Sequence, residues 1–148
     1  MYDKIFSWFR GIASVLGGVL SYVFGDMNGL LVALFVVIVL DYITGLIKAG
    51  ITKTLSSEIG FKGLLKKMLI LLIIALAHLV DNCVGSGETW RNIAIVFYIS
   101  NEGLSILENC VVCGLPVPDK LKEILINMEH TTDERSGKDG EKNDLRAD

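Results

Sequence analysis

GLLVALFVVIVLDYITGLI, residues 29–47, and MLILLIIALAHLV, residues 68–80, decide the class of this chain. An apolar run of about 18 residues or more is long enough to cross a hydrocarbon core about 30 Å thick. Between the two runs, residues 48–67 carry five lysines (Lys48, Lys53, Lys62, Lys66, Lys67) and one glutamate, Glu58. Lysines clustered beside an apolar run stay on the cytoplasmic side of the membrane. The sequence therefore predicts an all-α integral membrane protein. Its basic central loop, 48–67, faces the cytosol, with Gly50, Gly60 and Gly63 as helix breakers.

The bulk composition agrees. The chain has 148 residues, of which 51% are hydrophobic. Its mean hydropathy of +0.51 exceeds that of an ordinary soluble domain. Most charges lie in 48–67 and after Pro118, so the net charge of -3 says little about partners. A nucleic-acid surface needs basic and aromatic side chains together, and the short loop is the only basic patch; no nucleic-acid partner is expected. Cys83, Cys110 and Cys113 are odd in number, which argues against a disulfide framework. Cys110 and Cys113, at helical spacing, read as small buried residues. Lys4 and Arg10 precede an apolar stretch as in a signal peptide, but no small-x-small cleavage site follows, and the segment is expected to be retained.

Four apolar segments are predicted, at 5–25, 29–47, 68–84 and 92–113. The first places Ile5, Trp8, Phe9, Ile12, Leu16, Val19 and Val23 on one helical face. Its other face is small: Gly11, Ser14, Gly18, Ser21 and Gly25. Two readings stay open, giving three to four spans. The segment crosses, and its small face packs against another helix; or it lies in the interface, anchored by Trp8 and Phe9. The first turn contains Met27, where a second start would yield a product lacking segment one. The turns at 26–28 and 85–91 hold one Lys or Arg between them, Arg91, whereas six follow Gly114. The central loop and the C-terminus are thus both placed in the cytosol. Pro116 and Pro118 stop span four. Leu121, Ile124, Leu125 and Met128 then share one face of a short amphipathic helix, about 119–129, expected on the inner membrane surface or against the loop. Residues 131–148 read as a disordered charged tail.

Two polar features inside the spans are the candidate functional residues. Asp41 lies about 18 Å into span two at 1.5 Å per residue. An ionised aspartate near mid-bilayer costs about 2.5–3.5 kcal/mol on insertion scales. It must therefore be protonated, paired, or turned toward protein or water. Gly45 and Lys48 follow on its face; Lys48 can reach up for a partial pair, or a neighbouring helix satisfies the aspartate. In span four, Tyr98, Asn101, Glu102, Ser105, Glu108 and Asn109 form a polar stripe that lipid cannot accept. It must face other helices or an aqueous lumen. These nine residues, Asp41 to Asn109, are the candidate pore-lining or assembly set. His78, Asp81 and Asn82 share a face at the outer end of span three. A metal site there lacks a third ligand at suitable spacing, and solvation of a helix end is the expected role. No catalytic residue, metal site or cofactor is expected. A nucleophile would need His78 or His130 as its base, and neither sits in a motif.

LDYITGLIKAG (40–50), SSEIGFKGLLKKM (56–68), SNEGLSILENC (100–110) and GLPVPDKLKEIL (114–125) together resemble the toxin-secretion/phage-lysis holin family, in its order and spacing. The resemblance covers about residues 30–128. It implies a small bacteriophage or prophage protein of the bacterial cytoplasmic membrane. Such proteins accumulate and then form homo-oligomeric lesions. The lesions let an endolysin reach the cell wall for host cell lysis or, in some relatives, release a secreted toxin. The matching positions are Asp41, Tyr42, Gly45, Lys48, Ser56, Gly60, Gly63, Lys67, Asn101, Glu102, Glu108, Asn109, Pro116, Pro118 and Leu121. The expected partners are the lipid bilayer, further copies of the chain, and an endolysin or toxin that need not touch it. Two other classes fit the sequence: a small oligomeric ion channel or transporter, and a membrane anchor that recruits a cytosolic partner through the loop and tail.

Overall fold

The computed structural model describes residues 2–128, 130 and 131. The charged tail expected from 131 onward lies outside the described residues except for Thr131, whose hydroxyl donates to the Asn127 carbonyl at 2.8 Å. The chain is all α. Four long helices, α1 (Tyr2–Phe24), α2 (Gly29–Ile51), α3 (Ser57–Val84) and α4 (Thr89–Val112), are followed by a short one, α5, over 119–128. The four long helices are each long and apolar enough to cross a membrane.

The lysine-rich segment is mostly helical, which corrects the loop expected over 48–67. α2 runs on to Ile51 and α3 starts at Ser57, leaving a turn at 52–56. Gly60 and Gly63 sit inside α3. A glycine weakens a helix by only about 1 kcal/mol, and a serine N-cap offsets part of that. The Ser56 hydroxyl accepts from the Ile59 amide at 3.2 Å. Asn28 opens α2 in the same way, accepting from Leu31 at 3.0 Å. Gly85, at φ 73, ends α3 in the left-handed conformation that glycine adopts without penalty.

α4 is the hub of the bundle, packing most extensively on α2 and next on α3. The apolar core is small: Leu31, Leu34 and Ile38 from α2, Ile70 and Ile74 from α3, and Ile95 from α4. Among the long helices the backbone of α1 approaches only α3, and the helix is exposed from Lys4 to Tyr22. A Cβ added at Gly11 or Gly18 would meet nothing within 4 Å, so within one chain no helix covers the small face. α1 is anchored at its end. The Phe24 ring meets Phe35 edge-on at 6.1 Å. Gly25 is buried at φ +77, and a Cβ there would stand 2.7 Å from the Arg91 guanidinium and 2.8 Å from the His78 ring.

α5 folds back on α4, where Leu125 sits over Gly103 at a distance that leaves only 3.1–3.2 Å for an added Cβ. Gly103 is the notch that lets the leucine in. The cleft between the two helices is lined by Leu104, Leu107, Val111 and Val112 on one side and Val117, Asp119 and Lys122 on the other.

Candidate functional site: a buried charge network between three helices

Below the apolar core, Asp41 of α2, Lys67 of α3 and Glu102 of α4 converge. Each is only 9% exposed. The Lys67 ammonium donates to Asp41 Oδ2 at 2.7 Å and also to Glu102 Oε2. Asn109, 4% exposed, donates to Asp41 Oδ1 and to the Thr44 hydroxyl, both at 3.2 Å. Asp41 and Glu102 lie at similar depth, 12 and 13 residues from the starts of α2 and α4. At 1.5 Å per residue this is about 18–20 Å. One ammonium therefore holds two carboxylates from two other helices. Burying a charge in this setting is tolerable only because each one is paired.

Asp41 is satisfied from neighbouring helices, by Lys67 of α3 and Asn109 of α4, and not by the partial pair with Lys48. Lys48 is half-buried and makes no ion pair. Lys67 stands on the buried face of α3, not in a loop. The available signal was its register: Lys67, Ile70, Ile74 and Asp81 recur at i, i+3, i+7 and i+14, the buried face of α3.

The polar stripe of α4 divides. Glu102, Ser105 and Asn109 face the network, with Asn101 exposed at its edge. Tyr98 packs against the apolar core and meets Phe97 edge-on at 5.2 Å. Glu108 is exposed and borders the α4–α5 cleft instead. Gly45 lies beside Asn109, 3.8 Å from the amide nitrogen when given a Cβ. Between the network and the 52–56 turn lies a cavity of about 450 Å³, which Lys48, Lys66 and Lys67 all line.

A second polar cluster closes the other end of the bundle. Asp81, 1% exposed, accepts from the amides of Trp90 and Arg91 at 3.0 and 2.8 Å and from the Ser86 hydroxyl at 2.6 Å. It caps α4 from the preceding helix, the position where a helix dipole favours negative charge. Arg91 is fully buried, pairs with Glu88, and donates to the Asp26 carbonyl at 2.7 Å. Sequence reasoning assigned Asp81 to solvation and overlooked Arg91, because a turn's charges carry no trace of which carbonyl they will meet. His78 turns to Asn82, 3.1 Å away, rather than to Asp81. Among the described residues, no group of three His, Cys, Asp or Glu side chains is disposed to hold a metal.

The model of the bacteriophage holin family matches residues 18–130, which include both polar clusters and all of α2 to α5. The chain belongs to that family. A probable holin of Bacillus phage phi105 is 34% identical over 119 residues, covering 80% of this chain and 87% of the phage protein. This family member is also similar to uncharacterised bacterial proteins. One from Listeria monocytogenes is 42% identical over 132 residues, 89% of this chain and 91% of its own. A 14.9 kDa protein of Clostridium perfringens is 46% identical over 122 residues, 81% and 91% of the two chains. No solved structure matches this holin-family chain. Family and helices together make it a membrane-embedded protein.

Proposed function

We propose that this chain makes non-selective holes in the bacterial cytoplasmic membrane by self-association, letting an endolysin or a toxin cross. The observation that carries the reading is the Asp41–Lys67–Glu102 network. It ties three spanning helices through charges rather than through a large apolar core. Charges buried in pairs lose little when they are rehydrated, since the desolvation penalty is recovered. The same helices are therefore compatible with two arrangements: a closed bundle, and an oligomer in which Asp41, Glu102, Ser105 and Asn109 line water. The uncovered small face of α1, Gly11, Ser14, Gly18 and Ser21, suits close packing between copies. Gly25 serves the turn instead. The excess of lysine and arginine beside the 52–56 turn and after Gly114 supports a cytosolic position for both.

The test is induced expression in a bacterium with and without a cytosolic muralytic enzyme lacking an export signal. A lag, then abrupt loss of respiration with lysis only when the enzyme is present, is the expected result. Continued growth, or ion leakage with no enzyme release, overturns the reading.

A further inference from the structure

We infer that the cavity beneath the charge network binds the phosphate of an anionic phospholipid. Lys67 is engaged by Asp41 and Glu102, and Lys48 and Lys66 have no carboxylate partner within ion-pair distance among the described residues. Both line the cavity, and Lys48 is half-buried there. An ammonium drawn partly out of water without a counter-ion favours an anion beside it. The cavity's three ammoniums and two carboxylates leave one net positive charge.

The remaining walls indicate what kind of anion fits. Leu46, Leu55 and Ile59 also line the cavity and are 39%, 63% and 57% exposed. A basic, polar floor with an apolar lip suits a ligand that is charged at one end and greasy at the other. Basic pockets between spanning helices hold lipid headgroups by this chemistry. At about 450 Å³ the space accommodates a glycerophosphate headgroup, and the acyl chains would run out over the leucines. The site needs only that the chain is membrane-embedded. It does not depend on hole formation, and its readout is binding rather than lysis.

The experiment is native mass spectrometry of the full-length chain released from micelles. The probes are palmitoyl-oleoyl phosphatidylglycerol, the zwitterionic phosphatidylcholine of the same chains, and inorganic phosphate. The expected result is one retained phosphatidylglycerol per chain, preferred over phosphatidylcholine. In Lys48→Gln/Lys66→Gln the preference falls by roughly fivefold per lysine removed. Lys62→Gln, which removes a surface lysine paired with Glu58, keeps it, and so controls for bulk charge. Equal retention of the two lipids by the unaltered chain overturns the proposal, as does a preference untouched by the double substitution. Displacement of the lipid by millimolar inorganic phosphate would make this a free-anion site and overturn the lipid assignment. A chain that binds lipid as expected but makes no holes leaves this inference standing and removes only the functional proposal.

Discussion

The bundle has a polar cluster at each end of its apolar core, and the two are built differently. At the 52–56 end, Asp41, Lys67, Glu102 and Asn109 bond mainly to one another's side chains, between residues 26 to 68 positions apart. At the other end, Asp81 takes two backbone amides and Arg91 takes a backbone carbonyl. Side chains that satisfy only each other can all be removed together. Side chains that satisfy backbone groups cannot, because the amides and carbonyl remain. The first cluster is thus a removable tie between helices, and the second is part of how the turns are closed.

The largest expected effect tests this difference directly. Lys67→Met leaves two carboxylates buried without a cation and should destabilise the bundle by about 3–5 kcal/mol. Asp41→Leu/Lys67→Met/Glu102→Leu/Asn109→Leu, which removes all four, should recover to within about 1 kcal/mol of the unaltered protein, because a well-packed apolar replacement of a buried ion cluster is often neutral or better. Asp81→Leu/Arg91→Met should show no such recovery. Equilibrium unfolding in mixed micelles measures all three. Recovery at both ends, or at neither, would remove the distinction.

A smaller effect concerns how α1 is held. Gly25→Ala places a Cβ 2.7–2.8 Å from Arg91 and His78 at a φ of +77. The left-handed conformation alone costs about 1–2 kcal/mol, and the collision adds to it. Gly18→Ala, in open space on the same helix, should be neutral or gain up to about 1 kcal/mol from helix propensity. Protease accessibility of α1 in micelles should rise for the first variant alone. An equal response from both would mean that the turn does not anchor the helix.

The smallest effect concerns α5. Gly103→Val should displace Leu125 from its notch at a cost of about 1–3 kcal/mol, the range for overpacking. Leu125→Ala in the same chain should relieve part of it. Thiol labelling of Cys113, close to the α4–α5 connection, should rise in the single variant and fall back in the double. If Gly103→Val leaves labelling unchanged, α5 does not depend on that contact.

Much of this protein was legible in one dimension. The spans followed from the length of the apolar runs, since a bilayer imposes that length on any helix crossing it. Asp41 and the α4 stripe stood out because polar groups inside such runs must be answered by something. The charged segment at 48–67 reads as a loop in sequence but is helical except at 52–56. Lysine, glutamate and even single glycines are compatible with a helix, and only the caps at Thr52 and Ser56 mark where the helices stop. The family, too, was legible, in four short stretches kept in register over the region that the family model matches.

The sequence by itself determined the class of the protein, the apolar helical segments at 29–47, 68–84 and 92–113, and which residues would be costly to bury. Each of those is a local property, set by hydrophobicity along a few turns of chain. The tertiary structure alone decided the pairing. Lys67 rather than Lys48 meets Asp41, although 26 positions separate the first pair and only seven the second. Asp81 caps the next helix, and Leu125 finds Gly103. These contacts depend on the rotation and depth of helices relative to one another, and that is fixed by packing around α4, which no single segment encodes.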